Sequence, residues 1–238
     1  MGKDIVIPLG KGSRWNDNEL RYCLRSIERF MPRSRVFIVG HRPKWVKNVI
    51  HIPFTDNPDY EAKERNIKNK FLAACDHPEL SEDFWAFNDD YFILQKPPAR
   101  YPYFYDKCLS SKIATRPFKD HYQYAQINTY ETLKNLGYTT LNYDVHFPIL
   151  YNKTKFREVM DLYDWNIQHG YVVKSLYCNT LEIKGTQTQD CKLTRRRLLA
   201  DLQKWTKGKL MFSIGDGAIN GQLERFLRIT FPYPSKYE

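Results

Sequence analysis

The sequence predicts an α/β fold: a mainly parallel sheet flanked by helices, followed by a less regular C-terminal half. Over the first 95 residues, short apolar runs alternate with helical patterns in the order strand, helix, strand, strand, helix, strand. Those runs are continuous rather than alternating, as strands covered on both faces are. The adjacent carboxylates Asp89 and Asp90 follow one such run directly, and α/β proteins gather ligands at the carboxyl ends of their strands.

Asp4–Leu9 reads as the first buried strand, running into the turn-rich loop Gly10-Lys11-Gly12-Ser13. Asp17 or Asn18 is placed to cap the next helix, on which Leu20, Leu24, Ile27 and Phe30 recur at helical spacing until Pro32 ends it. Residues 35–40 and 48–53 read as two short strands. A polar helix over roughly 60–76 turns Ile67, Phe71 and Leu72 inward. Residues 84–87 form the strand that enters Asn88-Asp89-Asp90, and 91–94 are a further apolar run.

Past residue 95 the pattern loosens. Residues 97–130, rich in Pro, Tyr and Lys, read as loops with short strands. Residues 143–151 read as an apolar strand whose alternation puts Asp144 and His146 on one face. Residues 153–163 read as a helix and 171–183 as one or two strands. Residues 192–207 suggest a basic amphipathic helix, with Leu198, Leu199, Leu202 and Trp205 inward and Arg195, Arg196 and Arg197 outward. A strand and turn over 211–217 and a helix near 221–227 close the chain. Since no linker divides the sequence, one domain over 1–238 is expected.

The chain carries 37 basic and 27 acidic residues, for a net charge of +10. Such a surface favours polyanions: nucleic acid, anionic lipid or a phosphorylated substrate. No apolar run reaches the length of a membrane span, and Met1-Gly2-Lys3-Asp4 enters a strand-like run without a signal-peptide pattern. The five cysteines are scattered, without zinc-finger or redox spacing, so free thiols in the cytoplasm are expected.

Asn88-Asp89-Asp90 is the most informative stretch. Two adjacent carboxylates in so apolar a setting are costly to bury as bare charges, and a divalent cation would offset that cost. Hard oxygen ligands suit Mg²⁺ or Mn²⁺. The plainer alternative is an exposed turn between two hairpin strands.

Taken together, Asp17-Asn18-Glu19-Leu20-Arg21-Tyr22, Leu24-Arg25-Ser26-Ile27, Val36-Phe37-Ile38-Val39, Pro43-Lys44-Trp45 and Phe87-Asn88-Asp89-Asp90-Tyr91-Phe92 carry a resemblance. The chain resembles the nucleotide-sugar transferases of Rossmann-like GT-A fold. Over residues 17–92 it is most similar to the Stealth family of sugar-phosphate transferases, with weaker matches at His146, Pro148 and 213–216. It departs from Stealth proteins after the first strand. Their Trp-Val-Asp/Asn-Gly-type motif is replaced by Pro8-Leu9-Gly10-Lys11-Gly12-Ser13-Arg14-Trp15, a stretch closer to ordinary GT-A openings.

The resemblance implies a nucleotide-sugar donor, UDP-linked in preference, bound by residues 1–95, and an acceptor bound by residues 96–238. It implies a Mg²⁺ or Mn²⁺ cofactor held by Asp90 and Asp89, with His146 completing the site and Asn88 behind it. Pro8, Leu9, Gly10 and Arg14 would line the donor pocket. Arg65, Asn66 and Lys70 are candidates for base or phosphate contact, with Asn66 and Lys70 four apart on one helix face. Each also fits a solvated polar helix. If transfer inverts at the anomeric carbon, Asp144 and Asp216 are the candidate general bases. Asp216 lies between Gly215 and Gly217, where backbone can approach a ligand closely, and it is equally suited to a plain turn.

Arg195, Arg196 and Arg197, with the aromatic stretch 101–105, are candidates for holding a polyanionic acceptor, including a hydroxymethylated base in DNA. Two readings stay open beside glycosyl transfer. One is a Stealth-like sugar-phosphate transferase acting on a polysaccharide. The other is a non-catalytic nucleic-acid-binding domain, against which the Asp89-Asp90 pair argues.

Overall fold

The computed structural model describes residues 2–98, 101–115 and 120–238, so the segment 97–130 lies partly outside the described residues. Strand β1 (Asp4–Leu9) is followed by helix α1 (Asn18–Phe30), strands β2 (Val36–Gly40) and β3 (Ile50–Ile52), a 3-10 turn at Tyr60–Ala62 and helix α2 (Lys63–Asp76). Then come β4 (Asp83–Ala86), β5 (Tyr91–Ile93), β6 (Phe104–Tyr105), α3 (Leu109–Ala114), α4 (His121–Asn135) and β7 (Ile149–Asn152). Helices α5 (Lys153–Asp161) and α6 (Val173–Thr180) lead to β8 (Thr186–Gln187), β9 (Lys192–Leu193), α7 (Leu199–Thr206), β10 (Met211–Ile214) and α8 (Gly221–Thr230).

The main sheet has five strands in the order β3-β2-β1-β4-β7. All neighbours are parallel except β4 and β7, so the mainly parallel sheet expected from the apolar runs is observed. Alternation along the strands divides the core. Val6, Phe37, Phe84 and Ala86 pack with Phe71 of α2, Phe156 of α5 and Leu176 of α6. Ile5, Ile7, Ile38 and Trp85 pack on the opposite side with Leu20, Leu24 and Ile27 of α1. At the end of β2, Gly40 has φ +110°, and a Cβ there would lie 2.3 Å from the Leu9 carbonyl oxygen. Glycine is required at that position.

A second sheet has the order β5-β10-β9. This removes the hairpin alternative for Asn88-Asp89-Asp90, because β4 pairs with β1 and β7 while β5 pairs with β10. The chain turns at residues 89–90 to pass from one sheet to the other.

Several sequence expectations are corrected. Asp17 stands at the N-cap of α1 but makes no side-chain cap bond; Ser13 Oγ instead accepts from the backbone N–H groups of Asp17 and Trp15, at 2.8 and 3.1 Å. Residues 97–130 contain α3 and most of α4, whose inward face includes Gln123, Gln126 and Thr129 and so lacks an apolar stripe. Residues 171–183 form helix α6, not strands. It is buried nearly all round, through Val173, Ser175, Leu176, Tyr177, Cys178 and Asn179, which erases the helical period. Residues 143–148 are a bend, so Asp144 and His146 are not on a strand. The helix over 192–207 is confined to α7: Lys192 and Leu193 are taken into β9 by pairing with β10, and Leu198, expected inward, is 67% exposed. Among the described residues no helix is long and apolar enough to cross a membrane.

Candidate active site

Two adjoining cavities open at the carboxyl end of the parallel strands. The first, about 710 Å³, is lined by the loop after β1 (Pro8 to Arg14 except Leu9), by Glu19 of α1, by Asp56, by Lys63, Asn66 and Lys70 of α2, by Asn88-Asp89-Asp90, and by Lys192 and Asp216. The second, about 670 Å³, is walled by Glu64 and Phe71 of α2, Tyr91, Lys112 of α3, Tyr122 of α4, the bend 144–146, Lys174 of α6, and Asp190. Lys63, Ile67, Asn88 and Lys192 line both.

The acidic turn is held from below. Asp90 Oδ2 accepts from Ser213 Oγ on β10 at 2.6 Å, while its Oδ1 is buried without a hydrogen-bond partner. Burial, then the neighbouring charges of Asp90 and Glu19, push the Asp89 carboxyl well up from its ordinary range. Glu19 is raised as well, chiefly by burial and against the bond from Ser13, and its Oε2 has no hydrogen-bond partner. Three carboxylates thus converge on one wall with two oxygens unsatisfied, which fits a cation. Among the described residues, however, no group of three or more His, Cys, Asp or Glu side chains has the arrangement of a complete metal site.

The donor-pocket candidates divide. Pro8, Gly10, Arg14, Asn66, Lys70, Asn88 and Asp89 line the first cavity together. Leu9 does not: its side chain is buried in the core, and its carbonyl accepts from Lys70 Nζ at 2.9 Å. Lys70 also pairs with Asp56 at 2.8 Å. Its ammonium therefore ties the loop after β1 to the segment after β3. The Asn66 amide is similarly committed, making two bonds to the backbone of Asn57 at 3.0 and 2.9 Å. Arg65 lines neither cavity. Arg14 pairs at 3.4 Å with Asp216, and both are largely exposed. The glycines around Asp216 make room for the protein itself: a Cβ on Gly217 would meet the Thr194 carbonyl oxygen at 2.8 Å, and one on Gly215 would meet Lys192 Cε at 3.2 Å.

In the second cavity Asp144, His146, Asp190 and Lys192 are tied to polar partners within the cavity, whereas the Tyr151 hydroxyl is buried without one. Tyr122 Oη donates to Asp144 Oδ2. Asp190 receives the His146 backbone N–H at 2.9 Å and stands 2.8 Å from His146 Nδ1. Lys192 Nζ lies 3.0 Å from His146 Nε2. An ammonium only donates, so Nε2 is the acceptor and Nδ1 carries the proton toward Asp190. Burial pushes Asp190 up, but the side-chain and backbone hydrogen bonds from His146 outweigh it and hold the carboxyl at about 2. Both ring nitrogens of His146 are engaged, so its expected role as a metal ligand would require Lys192 to move away. Burial, then Asp144, raises Glu64 from 4.5 to about 8.

Arg195, Arg196 and Arg197 are exposed on the loop between β9 and α7, beside Thr194 at the rim of the second cavity. Sequence reasoning did not single out Lys63, Asp190, Lys192 or Lys174. Asp190 and Lys192 flank Cys191 at the entry to the two-residue strand β9, and no spacing signal distinguishes them. Glu19 appeared only inside the stretch that carried the resemblance.

No family model matches the chain. The capsular polysaccharide phosphotransferase of Neisseria meningitidis serogroup B is 30% identical over 169 residues, which is 63% of this chain and 45% of that protein. The human N-acetylglucosamine-1-phosphotransferase subunits alpha/beta are 34% identical over 107 residues, covering 35% of this chain and 8% of theirs. The chain spans less than half the length of these relatives. Among solved structures, the galactosyltransferase LgtC in complex with donor and acceptor sugar analogs aligns over 98% of both chains, with 10% identity and a TM-score of 0.47. The chain is thus similar in sequence to capsular polysaccharide phosphotransferases, of the Stealth kind.

Proposed function

We propose that this chain is an enzyme that moves a sugar 1-phosphate from a nucleoside diphosphate sugar, UDP-linked in preference, to an acceptor hydroxyl. One observation carries the choice over plain glycosyl transfer: Lys63 and Lys192 stand on the wall shared by the two cavities. Glycosyl transfer develops positive charge on the sugar ring, which two ammonium groups at the shared wall oppose, although its departing diphosphate would gain from them. Phosphoryl transfer spreads negative charge over oxygens, which two ammonium groups stabilise. The phosphotransferase names of the relatives point the same way.

In this reading the nucleotide occupies the first cavity and the acceptor the second. The acceptor oxygen attacks the phosphorus that bears the sugar. The bond from that phosphorus to the bridging oxygen breaks, and a nucleoside monophosphate leaves. His146 Nε2 takes the acceptor proton, with Asp190 fixing the ring. Lys192 now caps that nitrogen; an anionic phosphoryl group at the shared wall draws the ammonium off and frees the lone pair. Asp144 is the second candidate base in that cavity. Asp89 and Asp90 would hold a Mg²⁺ or Mn²⁺ ion that neutralises the diphosphate, its remaining ligands coming from phosphate and water as such ions favour.

The test is the leaving nucleotide. With UDP-sugars, Mn²⁺ and a hydroxyl acceptor, UMP release is expected. UDP as the product would return the chain to glycosyl transfer.

A second reading concerns only the acceptor. Three exposed arginines at the rim of the second cavity suit a polyanion, DNA included. A cytoplasmic setting suits five free cysteines.

A further inference from the structure

Lys174 belongs neither to the lysine pair at the shared wall nor to the His146–Asp190 dyad. It sits at the start of α6, in the wall of the second cavity. Its ammonium makes three bonds: to Tyr91 Oη at 2.8 Å, to the Val145 carbonyl at 3.1 Å and to the Phe147 carbonyl at 3.0 Å. An ammonium has three donors, so none is left for a ligand. None of the three bonds goes to a carboxylate.

The acceptors are what make this contact informative. Val145 and Phe147 are the two neighbours of His146, and Tyr91 directly follows Asp90. Tyr91 Oη also reaches the Phe147 carbonyl at 3.4 Å, closing a triangle. A single cation thus ties the bend that carries the base to the turn that carries the acidic pair. Burial lowers the Lys174 pKa while the charges of Asp144 and Asp190 oppose that fall. An ammonium set mainly among neutral groups is a poor choice for packing alone. Only such a group can feed three converging oxygens from one point.

We propose that Lys174 is a positioning residue of the transfer reaction: it clamps residues 145–147 from both sides and fixes His146 relative to the Asp89-Asp90 turn. The proposal rests on the reading of His146 as the base and of the cavities as donor and acceptor sites. It acts through backbone carbonyls, so its signature is misplacement of one histidine ring rather than loss of a binding contact.

The experiment compares wild type with Lys174→Met, which keeps the volume and removes the donors, and with Lys174→Arg, which keeps donors. Three quantities are measured: kcat and donor KM for nucleotide release, the melting temperature, and the ring signals of labelled histidines, with His146 assigned through His146→Gln. Lys174→Met is expected to melt close to wild type and keep its donor KM. Its kcat should fall by about 100-fold, the scale of a misplaced reacting group. Its His146 signal should move while the other histidines stay, and Lys174→Arg should recover part of the rate. A folded Lys174→Met protein with near-normal kcat and an unmoved His146 signal overturns the proposal. So does a loss of rate that tracks a matching loss of melting temperature with no selective change at His146. If wild type releases no nucleotide from any donor, the proposed function fails, yet the His146 signal still decides the role of Lys174.

Discussion

The acidic turn in the first cavity and the His146 bend in the second treat their carboxylates differently. In the first, Asp90 Oδ1 and Glu19 Oε2 are buried without partners, and the Asp89 carboxyl is pushed up by its neighbours. In the second, Asp144 accepts from Tyr122 and Asp190 is held by His146. Unsatisfied buried acceptors are rare in folded proteins and mark groups kept for a partner. In the proposed reading a cation completes the first wall. The second is already assembled, with its proton acceptor oriented before any substrate arrives. A diphosphate fits the former only as part of a charge-neutralised complex. A neutral hydroxyl fits the latter once Lys192 leaves His146 Nε2.

Removing the unsatisfied group should produce the largest effect. Asp90→Ala is expected to lower nucleotide release by about 1,000-fold, the scale of several kcal/mol of lost charge stabilisation. The variant should melt at or above the wild-type temperature, because like charges have been separated. Wild type should melt higher in Mn²⁺, and Asp90→Ala should not. Thermal unfolding with and without the metal checks both statements. A stabilisation by Mn²⁺ that survives Asp90→Ala would erase the contrast between the cavities.

Disturbing the assembled side should cost activity without touching metal response. His146→Gln is expected to lower kcat by about 100- to 10,000-fold, as for loss of a general base. Asp190→Asn should lower it less. Stabilisation by Mn²⁺ should match wild type in both, whereas a weakened response in His146→Gln would move that residue back to the metal.

Glu64 offers a finer test through pH. Its carboxyl is raised from 4.5 to about 8, so the folded chain holds this proton more tightly than the unfolded chain does. Its contribution to stability is fully present below about pH 4.5, is lost as pH rises toward 8, and is flat above that. Glu64→Gln should flatten this part of a melting-temperature profile. An unchanged slope would mean that Glu64 ionises as readily in the fold as outside it.

The smallest effect concerns the arginine loop. Changing Arg195, Arg196 and Arg197 to Glu should reduce the log–log salt slope of DNA binding by about 2 to 3. Turnover on a small hydroxyl acceptor should hardly change, since these residues lie outside both cavities. Equal slopes in the two proteins would set DNA aside and favour a glycan or lipid-linked acceptor.

Much of the first cavity's wall was legible in the sequence because its signals are local. Val36–Gly40 is buried at every position, and the Asp89-Asp90 pair interrupts apolar chain within three residues of a strand. The second cavity was not legible because its geometry comes from distant partners. His146 meets Asp190 across 44 positions and Lys192 across 46. No spacing rule links residues so far apart. The apolar run 143–151 looked like a strand, but Pro148 and the pull of Asp190 on the His146 backbone make its first part a bend. In α6, Val172, Val173 and Tyr177 carry strand propensity that tertiary burial overrides. At 195–197 the charges were read as one face of a helix that begins only at Leu199.

The reversed direction of β7 has a consequence for the two cavities. Because Ala86 pairs with Ile149, the chain leaves the rim after β4 and returns to it just before β7, at neighbouring points. Everything between is one excursion whose two ends are anchored side by side. Lys112 and Tyr122 of that excursion line the second cavity and not the first. Substitutions at those two positions therefore reshape the second cavity while leaving in place the residues of α2 and of the Asn88-Asp89-Asp90 turn that line the first.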